Sequence, residues 1–455
     1  MRGLVPIAAL LLLAGCAPAI TPRPDASVVA PPADWRTAMP ASGPVEQTWW
    51  AGFGDAQLSA LVDRARANNV DLAIAAARVA EARAQERVAR SLLFPTLSAN
   101  VPGAEARSVS AFGQPSESFS TQPAFQAAYE VDLFGRNAAQ VDAAHANAAA
   151  VAAARESAML SVSAATASSY IVLLALDERR DLLRQTLTTR GEALRIARDR
   201  AEGGYTSRLE LSQAEAEYRG TEQQIPAIEA AIARQENALS LLVGEAPRSI
   251  DRGRDFDALR TPGVPMMLPS DLVRRRPDIA QAEYTLAATD ANLRAARAQF
   301  LPQVRLSASA GAAISSLLDD PISVWSIGGS ILAPIFSGGR LQGQFDAATA
   351  QRDQAAFAYR RTVLTAFREV EDQLAVIDRL AVQESALVAQ RAAVAETLRH
   401  ATNRYRAGYS PYLEQIDAQR ALFAVDIALI QLRTDRLTAY VALYQALGGG
   451  APGEV

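Results

Sequence analysis

Cysteine is nearly absent. Cys16 is the only one in 455 residues, so no intrachain disulfide is possible. Histidine is scarce as well: His145 and His400 each stand alone inside a long helix-like segment. No histidine or cysteine cluster has metal-ligand spacing, so no metal, cofactor or catalytic centre is expected. Excess basic charge is missing too. The formal net charge is −4, which argues against a nucleic-acid partner. After residue 16 no stretch approaches the ~18 consecutive apolar residues of a membrane-spanning helix. Gly203-Gly204 and Gly338-Gly339 lack the lysine and helix context of a phosphate loop and read as turns. Proline is absent from Asn137 to Glu202, where Gly191 is the only glycine.

What is present occurs twice. Glu202-Gly203-Gly204-Tyr205-Thr206-Ser207-Arg208-Leu209-Glu210 reappears as Arg406-Ala407-Gly408-Tyr409-Ser410-Pro411-Tyr412-Leu413-Glu414, an offset of 408 − 204 = 204 residues. Phe134-Gly135-Arg136 is answered by Phe336-Ser337-Gly338-Gly339-Arg340, and Leu93-Phe94-Pro95 by Phe300-Leu301-Pro302. A solenoid repeats every ~20 to 50 residues, so this is a duplication into two similar halves.

The start of the chain points to export. Arg2 precedes the apolar run Leu4 to Leu13, which is too short to span a bilayer. Leu13-Ala14-Gly15-Cys16 has the form of a bacterial lipobox. Residues 1–15 then read as a signal peptide and Cys16 as the lipidated first residue. The alternative is an ordinary leader with an incidental cysteine. Ala17, rather than Asp, matches export to the outer membrane. The Pro-, Ala- and Ser-rich segment from Ala17 to about Pro44 reads as an extended tether, and Trp49-Trp50-Ala51-Gly52-Phe53 opens the folded part.

The proline-free stretch 137–202 permits one helix of about 66 residues, and 340–407 matches it. Val363, Phe367, Val370, Leu374, Ile377, Ala381 and Val388 follow 4,3 spacing with Glu384 interrupting, as do Phe423, Ile427, Ile430, Leu437, Val441 and Tyr444 with Thr434 filling the gap. These are coiled-coil seams. Gly204-Tyr205 and Gly408-Tyr409 are expected to be the turns of two long helical hairpins. Before each long helix the period changes to two. Phe125, Ala127, Tyr129 and Val131 alternate with Gln126 and Glu130; Val304 and Leu306 alternate with Arg305 and Ser307. Each half therefore has two strands of about 10 to 14 residues with one apolar face, as in a membrane barrel or a soluble sandwich. Four strands cannot close a barrel with a lumen, which takes about eight, and lipid tolerates no open edge. Three chains would supply twelve strands.

Cys16, Trp49-Trp50, Phe94-Pro95, Val131-Asp132-Leu133-Phe134-Gly135-Arg136 and Leu268-Pro269-Ser270-Asp271-Leu272-Val273-Arg274-Arg275-Arg276-Pro277-Asp278-Ile279 resemble the TolC-like outer-membrane efflux factors, nearest their lipoprotein branch. The resemblance spans Cys16 to Gly448. It implies a mainly α fold with a membrane β part. Duplicated hairpins would form a trimeric α-barrel, and four strands per chain would join a shared 12-stranded outer-membrane barrel. It also implies a passive exit duct for small molecules such as drugs, lipid-anchored in the outer membrane with a large periplasmic portion. Implied partners are two further copies, outer-membrane lipid, a periplasmic adaptor at the hairpin tips and an inner-membrane pump of the resistance-nodulation-division type. The other readings are the channel of a type I protein secretion system and a non-pore periplasmic coiled-coil adaptor. The expected parts are a signal peptide over 1–15, a tether and periplasmic segment over 16–67, and a first repeat over 68–250. A linker over 251–269 and a second repeat over 270–455 follow.

In the family, residues matching Glu414 and Asp417 line the periplasmic entrance, with Tyr405 and Glu210 in the gate network. Ser410 stands where relatives carry a basic gate residue, so Arg404, Arg406 or Arg208 would substitute. The plainer account is helix-start acids favoured by the macrodipole. In the linker motif, Ser270 is expected to cap a short helix and Pro277 to open the next, giving chain reversal without chemistry.

Overall fold

The computed structural model describes residues 17–37, 43, 46–109, 112–265, 267–316 and 318–450. The expected leader over 1–15 and Cys16 lie outside the described residues. The first half runs α1 (Ala56–Asn68), α2 (Val70–Arg90), β1 (Thr96–Asn100), β2 (Gly103–Val109), β3 (Pro115–Thr121), β4 (Ala124–Val131), α3 (Arg136–Glu202), α4 (Arg208–Glu222) and α5 (Gln224–Leu242). The second runs α6 (Pro269–Arg275), α7 (Pro277–Ala298), β5 (Gln303–Ser315), β6 (Ile322–Leu332), α8 (Arg340–Arg406) and α9 (Tyr412–Ala446). Two compact units result. One comprises Met1–Val28, Ala77–Ala153 and Gln281–Arg361; the other comprises Val29–Ala76, Ala154–Ala280 and Thr362–Val455.

The first unit holds the sheet. Proline has no amide hydrogen for a ladder, so Pro102 parts β1 from β2 and Pro123 parts β3 from β4. Four antiparallel spans remain, ordered β1–β4–β5–β6, with β2–β3–β5 continuing beyond the prolines. Directly paired residues share a face. Phe125↔Ala310↔Trp325, Ala127↔Ala308↔Ile327 and Val131↔Val304↔Ile331 lie on one side, while Gln126↔Ser309↔Ser326 and Glu130↔Arg305↔Ser330 lie on the other. The apolar side is uncovered: Phe125 is 64%, Trp325 76% and Ile327 81% exposed. A soluble sandwich would cover it. The outer edges of β1–β2 and of β6 have no strand partner among the described residues.

Below the sheet the alanines serve close helix packing. Ala139, Ala143, Ala146 and Ala150 of α3 repeat at 4,3,4 spacing and are buried. Leu293, Phe345 and Ala348 form a further core, with Phe300 edge-on to Phe345 at 6.3 Å. The described start of the expected tether, residues 17–37, is not free. Arg352, only 2% exposed, donates to the Thr21 carbonyl at 2.7 Å, and its Nε donates to Asp353 at 2.8 Å. Arg360 donates to the Ala26 carbonyl and Arg23 pairs with Asp290. A buried guanidinium needs such acceptors, so residues 20–27 act as a strap.

In the second unit the turn Trp49–Phe53 buries all three of its aromatics, and Trp49 stacks on Tyr444 at 5.4 Å. Asp55 caps α1 through Oδ1, 2.7 Å from the Gln57 amide. Its Oδ2 accepts from the Arg254 amide at 3.1 Å and from the Tyr170 hydroxyl at 3.3 Å. In α8 the seam Val363, Phe367, Val370, Leu374 and Ile377 is buried. It then opens: Ala381 and Val388 are exposed. The α9 seam is buried at Leu437, Val441 and Tyr444 and half-buried at Phe423, Ile427 and Ile430. Both seams thus open part-way along the hairpin, before Tyr405, Tyr412 and Ile416 close it again at the tip. The return helix of the first hairpin breaks at Gln223, and Pro226 sits in the first turn of α5, where a missing N–H is harmless. One window of α3 is long and apolar enough to cross a membrane by length and composition, but 56% of it is buried.

The linker motif departs from expectation. Pro269 opens α6 after Leu268, with no side-chain cap, so Ser270 lies inside the helix. Arg276, extended before Pro277, is no bystander. It grips Asp278 with two bonds of 2.9 and 2.7 Å, donates to the Ala446 carbonyl at 2.9 Å and pairs with Glu369 at 2.8 Å. One side chain thereby ties the starts of α7 and the end of α9 to α8.

Candidate functional site at the hairpin tips

Both tips end the same way. Gly204 and Gly408 have φ of 73° and 80°, the left-handed region that glycine enters without strain. Tyr205 N–H donates to the Arg200 carbonyl at 2.8 Å, and Tyr409 N–H to the Arg404 carbonyl at 2.9 Å. Gly204 and Gly408 add the inner bond of the Schellman motif to Ala201 and Tyr405. Tyr205 and Tyr409 are left exposed. The restarts differ. Ser207 Oγ caps α4 by accepting from the Glu210 amide at 3.3 Å, whereas Pro411 precedes α9 with no side-chain cap.

The Glu210 carboxylate does not fold back on its own cap. It accepts from the Thr206 hydroxyl and from the Tyr405 hydroxyl, 195 residues away. Tyr405 is buried against Leu194, Ala197, Ala214, Tyr412 and Ile416. The Arg200 guanidinium lies over its ring at 4.7 Å. Burial, then the Glu210 bond and charge, push the Tyr405 phenol up to about 12. Burial, then Glu217, push Tyr412 up to about 12 as well.

A second polar centre was not legible from residue type. Glu217 of α4 pairs with buried Arg190 of α3 at 3.0 Å and accepts from Arg420 Nε of α9 at 2.8 Å. Burial lowers the Arg190 pKa, which Glu217 opposes. The only sequence signal is a run of carboxylates interspersed with arginines, which ordinary solvated helices share. The other two expected residues are looser. Glu414 stands 3.7 Å from Arg404, and Asp417 3.6 Å from Arg420, with all four side chains substantially exposed. Ser410 Oγ is buried with no hydrogen-bond partner. The structure thus joins Tyr405 to Glu210 directly and leaves Glu414 and Asp417 as separate, half-neutralised acids. His145 and His400 are exposed, and no group of three or more acidic, histidine or cysteine side chains suits a metal among the described residues.

The Glu210 bond yields a measurable expectation. A hydrogen bond to a charged group contributes about 1.5–3 kcal/mol. Tyr405→Phe should therefore speed amide exchange over 206–210 and 404–412, and unchanged exchange would mean the bond holds nothing. The phenol is raised from 10.0 to about 12 in the folded tip. Its contribution is complete below pH 10 and fades as pH rises through that window, because an opened tip ionises first. In Tyr405→Phe the decline should be smaller.

The model of the outer membrane efflux protein family matches residues 61–245 and 268–449, one segment in each half of the duplication. The chain belongs to the outer membrane efflux protein family. It is 34% identical to the pyoverdine export outer membrane protein OpmQ of Pseudomonas aeruginosa, over 99% of this chain and 97% of the relative. The solved outer-membrane channel OprN shares 27% identity with a TM-score of 0.88, covering 95% of this chain and 99% of its own. The open state of the MtrE outer membrane channel of Neisseria gonorrhoeae shares 30% identity with a TM-score of 0.83, covering 95% and 98%. This efflux protein is accordingly an outer-membrane channel component, not an enzyme, with a mostly helical fold carrying a small antiparallel sheet.

Proposed function

We propose that three copies of this efflux protein close one twelve-stranded barrel and serve as the passive exit duct of a tripartite pump for small molecules. The observation that carries this is the sheet: four spans, one bare apolar face and two edges unpaired among the described residues. In lipid each unsatisfied edge group costs several kcal/mol, so the edges must meet other copies. The seams that open part-way along the second hairpin, at Ala381 and Val388, offer matching helical surface. Cys16 carries the lipid anchor, on the strength of the lipobox. The tips, with exposed Tyr205 and Tyr409, face a periplasmic adaptor and through it an inner-membrane pump of the resistance-nodulation-division type. Relatives named for pyoverdine export and toluene efflux support a small-molecule cargo.

Cross-linking and mass measurement in detergent test the assembly: a trimer is expected, and a monomer that still conducts ions would overturn it. Intact mass of the mature N-terminus tests the anchor. The gate follows from threefold repetition, which would gather six carboxylates from Glu414 and Asp417 around one axis. Such a ring favours cations. Glu414→Ala with Asp417→Ala should lower cation selectivity, read as a reversal potential under a salt gradient. Unchanged selectivity would return both acids to the role of helix-start residues.

A further inference from the structure

The first unit contains a groove of ≈ 550 Å³, within the roughly 300–1,000 Å³ usual for small-ligand sites. Its lining is apolar at Ile20, Phe134, Ala138 and Leu301, and Asp142, Arg294 and Arg297 line it as well. Arg297 stands at its rim, exposed and without an ion pair among the described residues, whereas neighbouring Arg294 is held by Asp142 at 2.8 Å. The groove opens at the helix-side end of the strands, since Phe134 lies just past β4 and Leu301 just before β5. Ala17 forms part of its wall. That residue is directly bonded to Cys16, and the strap that carries it is pinned by Arg352, Arg360 and Arg23. One extended residue reaches ~3.5 Å, so any group on Cys16 starts beside the groove.

We propose that one acyl chain of lipidated Cys16 lies in this groove, so that the anchor docks on its own protein as well as in the bilayer. The apolar part of the lining suits a hydrocarbon chain, and the free guanidinium of Arg297 suits the ester carbonyls of an acylglyceryl group. The strap then has a purpose: it delivers the modified residue to a fixed place. The inference rests on the lipidation of Cys16 proposed above, which the test reads separately.

Cells are fed a diazirine-bearing fatty acid, which enters both lipoprotein acyl groups and phospholipids. The purified full-length protein is irradiated and its peptides are mapped. Crosslinks are expected at residues 134–139 and at Leu301. They should be lost in Ala138→Trp, which fills the groove, while crosslinks on the strand face persist. They should also be lost in a form exported by a non-lipid leader and starting at Ala17. Lipidated protein with crosslinks confined to the strand face overturns the docking. Groove crosslinks that persist in the lipid-free form assign the groove to a membrane phospholipid and overturn it equally. An unmodified Cys16 in the same mass spectrum sinks the anchor itself.

Discussion

Ile327→Arg should nearly abolish accumulation of the protein in the outer membrane. Ile327 lies at the centre of β6, and the Ala127↔Ala308↔Ile327 ladder runs across the middle of the bare apolar face. An arginine near the bilayer midplane of a barrel costs about 2–4 kcal/mol. Each trimer would carry three, one on each third of a closed surface. Two controls use the sheet register. Ser326→Arg places the same charge on the polar face and should be mild. Val131→Arg stays on the apolar face, but Val131 is the last residue of β4. Near an interface the penalty drops to about 0–1 kcal/mol. The graded order, Ile327 far above Val131 and Ser326, is read from trimer recovered in outer-membrane fractions. Equal recovery of all three would mean that this face does not meet lipid.

Arg276→Ala should be the most destabilising single change outside the sheet, by about 3 kcal/mol. Removing one partner of a buried pair costs about 3–5 kcal/mol. The low end applies because the Asp278 and Glu369 side chains remain 33% and 39% exposed and keep some water. The truncation strands two carboxylates side by side and leaves the Ala446 carbonyl without its donor. Arg276→Lys should recover only part of the loss, since an ammonium cannot span both Asp278 oxygens while reaching Ala446. Denaturation midpoints of the detergent-solubilised protein measure the effect. A midpoint shift within error would leave the motif as mere chain reversal.

The hairpins were legible because their signals are local. A long proline-free run, a 4,3 apolar period and a glycine at each turn specify helix, seam and stop without reference to distant residues. The strands were legible for the same reason: a period of two needs only neighbours. Their interruption at Pro102 and Pro123, which divides the two strands expected in the first half into β1 to β4, emerged only in the structure, where proline has no amide hydrogen to give a ladder. The tip was legible in part. Its turns follow from Gly204 and Gly408, whereas the Tyr405–Glu210 bond crosses 195 residues and came only from family resemblance. Arg190, Glu217 and Arg420 carried no distinguishing signal. Charged residues flank every helix of this kind, and burial selects which of them become a network.

By itself, the sequence determined the duplication, the helical hairpins and the two-faced strands, because each depends on periodicity or on adjacent residues. Tertiary structure alone decided which of many arginines matter. Arg352 holds the N-terminal strap, Arg276 joins three helices, and Arg190 and Arg420 share Glu217. The physical reason is desolvation. An arginine in water needs no particular partner, but one removed from water must find acceptors, and only the folded chain brings them within reach.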